Sequence, residues 1–209
     1  MHNLFIDIET RKSDECPDYK IEAPKNYSDP KKIANYIANK RVEMWGKTAL
    51  DEMHGKICSI AWAFDDMEPL AVSGDNEEAL IRHFWEYARE YFKDNRTGEV
   101  LKSKVQWVTH NGIEFDIPWL WIRCVKYAID LKKVMPDKNE VYDTMKKWNP
   151  YKWKAYYKQS DIIEMLGGDK SYEDGSMVQG WYDAGDLRKI MDYNKKDIEE
   201  LRTIYNKLQ

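Results

Sequence analysis

Four carboxylates stand in places where a carboxylate is costly. Asp7 and Glu9 interrupt Phe5-Ile6-Asp7-Ile8-Glu9, whose other side chains are apolar. Acidic residues are depleted in strands. Two residues apart, they leave a strand on the same side. Either both converge on one point, or the strand stops early and both are solvated. Asp197 lies in the stripe Ile190, Tyr193, Asp197, Leu201, Ile204, Leu208, whose spacing puts it on the core-facing side of a helix. A carboxylate there needs a partner or a metal; Lys195 or Lys196 is the alternative partner if Asp197 sits at the stripe's edge. Tyr193, four residues earlier on that face, can act at the same spot. Asp116 follows a strand end across His110 to Phe115, where Gly112 permits a tight turn. It either joins a site at the end of the sheet or caps the helix that includes Pro118. Four such oxygen donors suit hard divalent cations such as Mg²⁺ or Mn²⁺. Two ions about 3.5–4 Å apart would activate water on one side and stabilise the leaving oxygen on the other. His2, His54, His83 and His110 are scattered and offer no rival zinc site.

These residues need elements to hold them. Residues 3–9 read as a strand with Leu4, Ile6 and Ile8 on one face and Phe5, Asp7 and Glu9 on the other. Residues 11–55 are irregular and charged, with one helix expected around Pro30–Val42. Residues 56–64 form a nearly continuous apolar run, the mark of a buried strand. A partner strand follows at 68–73, then a helix whose capping box runs from Asp75 to Glu78. Further strands are expected at 104–110 and 140–145, and helices at 117–128, 158–166 and 186–208, with 169–180 as loop. Five strands interleaved with helices indicate an α/β sheet covered on both faces.

Composition narrows the class. The chain has 209 residues, of which 43% are hydrophobic, enough to bury a core in a single domain. No Pro/Gly/Ser linker divides it, so 1–209 reads as one domain with 11–55 inserted between its first two strands. The net charge of −4 is not that of a protein that coats DNA, yet loaded cations invert the local sign of an acidic site. Cys16, Cys58 and Cys124 make no CxxC, and the odd number favours a reducing compartment. The longest apolar run is too short for a bilayer, and Asp7 comes too early for a signal peptide. Residues 146–158 carry five Lys, five aromatics and no acid. Lys with interleaved rings suits single-stranded nucleic acid, with Lys152, Trp153 and Lys154 at its centre. The alternative is rings packed under the sheet and lysines in water.

Three stretches together resemble a known family. Phe5-Ile6-Asp7-Ile8-Glu9-Thr10 is similar to the first motif of the DEDD 3′→5′ exonucleases. Thr109-His110-Asn111-Gly112-Ile113-Glu114-Phe115-Asp116 resembles the second, and Tyr193-Asn194-Lys195-Lys196-Asp197 the third, in its tyrosine subclass. The likeness extends from residue 3 to about 205, in particular to stand-alone exonucleases related to the proofreading domain of family-B DNA polymerases, often found in phages. It implies a ribonuclease H-like fold with a mixed five-stranded sheet. It implies removal of nucleoside 5′-monophosphates from the 3′ end of single-stranded DNA, with two Mg²⁺ or Mn²⁺ ions. By this resemblance Asp7, Glu9 and Asp197 hold one metal, Asp7 and Asp116 the other, and Tyr193 orients the attacking water. Asn111 and Phe115 lie where the family contacts the terminal nucleotide, and Arg11 and Lys12 could touch phosphate or lie in an exposed loop. With 12 residues after the third motif, proofreading calls for a separate polymerase, in the cytoplasm of a bacterium or a phage-infected cell. A ribonuclease or oligoribonuclease of the same fold is the rival enzyme reading; a catalytically silent nucleic-acid-binding module is the rival of another class.

Overall fold

The computed structural model describes residues 1–152 and 156–209. Five strands form one sheet: β1 (His2–Arg11), β2 (Lys56–Phe64), β3 (Leu70–Ser73), β4 (Val105–Thr109) and β5 (Tyr142–Asp143). Its order is β3-β2-β1-β4-β5. β1 and β4 run parallel from His2↔Val105 to Phe5↔Val108, β4 and β5 are parallel, and β2 and β3 are antiparallel from Ser59↔Ser73 to Trp62↔Leu70. The sheet is therefore mixed. The helices are α1 (Pro30–Lys47), α2 (Glu77–Phe92), α3 (Asp116–Lys126), α4 (Thr144–Trp148), α5 (Gln159–Met165), α6 (Val178–Asp183) and α7 (Leu187–Leu208).

The chain forms two compact units, Met1–Glu9 with Ile57–Gln209, and Thr10–Lys56. In the larger unit, side-chain alternation divides the core. Leu4, Ile6 and Ile8 of β1 and Ile60, Trp62 and Phe64 of β2 pack with α2 and α3 through Phe84, Phe92, Trp119 and Leu120. On the other face, Phe5, Ala61, Ala63 and Val108 meet Ile198, Leu201 and Tyr205 of α7. Ala61 and Ala63 are both buried; with side chains this small, a helix backbone can approach the sheet closely. Glu77, on α2, ties this framework to β2. It accepts from the Ile57 amide at 2.7 Å, from Arg123 Nε at 2.6 Å and from the Tyr127 hydroxyl at 2.7 Å.

The smaller unit carries α1. Asp29 caps it by accepting from the Lys31 amide at 2.8 Å, with Pro30 in its first turn, and none of its residues is buried. Trp45 Nε1 donates to the Ser13 carbonyl at 2.8 Å, and Lys12 lies 4.5 Å over the Trp45 ring.

Several element expectations need correction. The cap of α2 is Asn76, which accepts from the Ala79 amide, while Asp75 accepts from the Tyr182 hydroxyl instead. Residues 169–180 are not simply loop: a 3-10 turn at Gly175–Met177 leads into α6. The fifth strand contracts to Tyr142–Asp143, because Asp143 already caps α4 by accepting from the Met145 and Lys146 amides. No disulfide forms among the cysteines, and among the described residues no helix is long and apolar enough to cross a membrane.

Candidate metal centre and active site

Asp7 and Glu9 project from β1 on the face that α7 covers, and Asp197 reaches them from that helix. One carboxylate oxygen from each lies within 4.8 Å of the others. Glu9 and Asp197 are 188 positions apart in the sequence, and the sheet and the docked helix close that distance. Glu9 is buried and Asp7 partly so. Gly175 closes in from the 3-10 turn: a Cβ there would stand 3.9 Å from Glu9 Oε2.

Asp116 is the first residue of α3 and is 2% exposed. It is neither solvated nor the cap. β1 runs past its last pairing with β4, so the Ile8 amide has no ladder partner on that side and donates to Asp116 Oδ1 at 3.0 Å. Ile8 lies between Asp7 and Glu9, and its backbone therefore holds the fourth carboxylate beside the other three. Asp116 does not share the 4.8 Å donor cluster, but its charge acts on Asp7, Glu9 and Asp197.

This crowding shifts the acids together. Burial, and then the charges of Asp116, Asp197 and Glu9, push the Asp7 carboxyl well above the usual range. Burial and the charges of Asp197 and Asp116 do the same to Glu9. Burial lifts Asp116 to about 7, and burial followed by the charge of Glu200 lifts Asp197 to about 7. Buried like charges this close need a counter-ion to be ionised together. The donor set is all carboxylate oxygen, so a hard divalent cation fits it. The Tyr193 hydroxyl is hydrogen-bonded to Asp197, and burial together with the three acids raises its pKa far above the ordinary range. It therefore remains a donor throughout the neutral range. Its ring packs against Trp181 at 5.5 Å.

The turn before Asp116 is built around Asp143. Its carboxylate accepts from the Asn111 amide at 3.0 Å and the Ile113 amide at 3.3 Å, so it clasps the loop rather than joining the acids. Asn111 takes the left-handed conformation, φ 65, not Gly112. Gly112 is required by space: a Cβ there would fall 2.4 Å from Thr109 Cβ. Phe115 is half-buried against the core and 5.8 Å from Trp119.

The other expected contacts are distributed unevenly. Arg11 is not in an exposed loop. It ends β1 and is buried, with Nη1 2.6 Å from Asp14 and 3.1 Å from the Lys12 carbonyl. Lys12 stands over Trp45. In the basic, aromatic stretch, Trp148 and Tyr157 pack against Ile162, Ile163 and Ile204, whereas Tyr151 and Tyr156 are 97% and 69% exposed. Lys152 is exposed, and Trp153 and Lys154 lie outside the described residues.

Two residues at the site escaped the sequence reading. Asn194 is fully buried and donates to Asp7 Oδ2 at 2.6 Å, and Ser59 of β2 donates to Asn194 Oδ1 at 2.9 Å. The signal for Asn194 was present: it falls four after Ile190 and four before Ile198, in the row that faces the sheet. Ser59 carried none, as a small residue in an apolar run.

A family model described as a predicted 3′-5′ exonuclease related to the exonuclease domain of PolB matches residues 50–173, more than half of the chain. The chain belongs to this exonuclease family. The matched span contains Asp116 and its loop; Asp7, Glu9, Tyr193 and Asp197 lie outside it. No curated protein matches the chain. Among solved structures it resembles the family B DNA polymerase from the hyperthermophilic archaeon Pyrobaculum calidifontis, with a TM-score of 0.62 at 15% identity. That match covers 100% of this chain and 24% of the polymerase chain, so the exonuclease-family chain spans about a quarter of its length. The α/β fold is thus the ribonuclease H-like one that the three motifs implied.

Proposed function

We propose that this chain is a metal-dependent 3′-5′ exonuclease that releases nucleoside 5′-monophosphates from single-stranded DNA. The observation that carries the reading is the meeting of Asp7, Glu9 and Asp197 within 4.8 Å, with Asp116 pinned beside them by the Ile8 amide. Asp7, Glu9 and Asp197 would hold one divalent cation, Mg²⁺ or Mn²⁺, and Asp7 with Asp116 would hold a second. Such ions supply a nucleophile at neutral pH and stabilise the leaving oxygen.

The chain's own residues do the positioning. The Tyr193 hydroxyl, kept protonated beside Asp197, directs the attacking water. Asn111 and Phe115, on the loop that Asp143 clasps, face the terminal nucleotide in this reading. Arg11 and Lys12 are further proposed phosphate contacts. Exposed Tyr151 and Tyr156 stack on bases of the strand while Lys152 and Lys154 meet its phosphates. The proposed partners are the 3′ end of DNA and, in proofreading, a separate DNA polymerase. The family's relation to a DNA polymerase domain favours DNA over RNA.

An end-labelled single strand, digested over time with Mg²⁺ or Mn²⁺ and with EDTA, tests the reading. A ladder shortening from the 3′ end only when metal is present is expected. Shortening from the 5′ end, or cleavage indifferent to EDTA, would overturn it. A matched RNA strand degraded faster would move the assignment to a ribonuclease. Asp7→Ala should lower the rate by about three orders of magnitude while circular dichroism and DNA binding are retained, since metal contributes several kcal/mol to such a transition state.

A further inference from the structure

Three elements meet at one amide. Asn194 of α7 reaches Asp7 of β1 through Nδ2, at 2.6 Å, and Ser59 of β2 through Oδ1, at 2.9 Å. The rest of its row, Ile190 and Ile198, is aliphatic and fully buried. An aliphatic side chain at 194 would continue that packing. The buried amide instead uses both of its ends, one on each strand, as a buried polar group must. The Asp7 carboxylate decides which end faces it, and the Ser59 hydroxyl, which can donate or accept, satisfies the other end. Turned over, the amide would set Oδ1 against a carboxylate oxygen, and only the present orientation gives that oxygen a donor.

A carboxylate on a strand can rotate about its terminal bond, because that torsion is broad. The bond from Asn194 fixes one oxygen, Oδ2, and with it the plane of the group.

We infer that Asn194, supported at its other end by Ser59, is a positioning residue that holds the Asp7 carboxylate in its metal-binding orientation and so sets divalent-cation affinity. The inference deepens the proposed function and rests on Asp7 being a metal ligand. Hydrogen-bond partners of ligating groups contribute roughly 10–100-fold to metal affinity.

The test measures Mn²⁺ binding directly, by titration calorimetry and by the electron paramagnetic resonance of unbound Mn²⁺, on the whole protein freed of metal. Thermal melting without metal and the rate as a function of Mn²⁺ concentration accompany it. Asn194→Leu should bind Mn²⁺ about 10–100-fold more weakly, melt without metal no lower than the parent, and recover its rate when Mn²⁺ saturates. Ser59→Ala should shift affinity in the same direction by less, and it carries the test alone if Asn194→Leu does not fold.

Unchanged Mn²⁺ affinity with a lowered melting temperature would mean that Asn194 only packs, and would overturn the inference. A rate that stays low at saturating Mn²⁺ would overturn the claim that affinity is what it sets. If the parent protein itself binds no divalent cation, the metal reading falls and this inference with it. If the parent binds and the variants bind equally, only this inference falls.

Discussion

Asp197 and Asp116 titrate where the protein has most to lose. Both carboxyls are lifted to about 7, and Asp7 and Glu9 are lifted as well. Between the ordinary carboxylate range and about 7, the folded metal-free chain therefore holds more protons than the unfolded one. Stability with metal removed should fall as pH rises through that window. Cation binding displaces those protons, so Mn²⁺ affinity should rise over the same window. Melting temperatures from about pH 5 to pH 8, in EDTA and in saturating Mn²⁺, check both; a flat profile in EDTA would contradict the shifts. Tyr193 is the other residue-level case. Losing its hydroxyl should slow single-turnover hydrolysis about 100-fold through misplaced water. Mn²⁺ affinity should change little in Tyr193→Phe, and an unchanged rate would reduce Tyr193 to packing against Trp181.

The element that makes the site is α7. Its Ile198 and Leu201 share one buried cluster with Ala61 and Ala63, and that packing seats α7 where Asp197 reaches β1. Ala61→Leu should overpack this contact and cost about 1–3 kcal/mol in urea denaturation. If the seat matters for function, Mn²⁺ affinity should fall in the same variant; retained affinity would show that α7 finds the site without it. The strands were the most legible elements, because β1 alternates and β2 is a continuous apolar run. α6 was not legible. It has six residues, Gly180 among them and Gly175 in the turn before, too few for a helical period to be counted. In α7 the apolar stripe was readable, but its core-facing row also takes in Asn194 and Tyr205, polar or mixed residues that a hydrophobic count passes over.

At the scale of the whole molecule, the net charge of −4 leaves strand binding to local features. The 146–158 stretch divides between two roles. Trp148 and Tyr157 belong to a core, while Tyr151 and Tyr156 stand in solvent. Replacing Tyr151 and Tyr156 together with Ala should therefore weaken single-strand binding by about 1–3 kcal/mol per stacked base without lowering the melting temperature. Lys152→Ala should reduce the salt slope of binding by about one unit. Fluorescence anisotropy of a labelled strand across a salt series, in EDTA to prevent cleavage, measures both. A loss independent of salt in Lys152→Ala would point away from phosphate contact.

The sequence by itself determined the sheet-and-helix order, the two faces of β1, the apolar side of α7, and the three motifs whose likeness named the family. Each is a local pattern, written within a few residues by backbone periodicity or residue type. Only the tertiary structure decided that Asp197 meets Asp7 and Glu9 and hydrogen-bonds Tyr193, that Asp116 is held by the Ile8 amide, and that Asn194 and Ser59 stand behind Asp7. Those contacts join positions as much as 190 residues apart, Asp7 and Asp197 among them. Strand order, the early end of the β1–β4 ladder and the docking of a helix on two alanines set those distances, and no single segment encodes any of them.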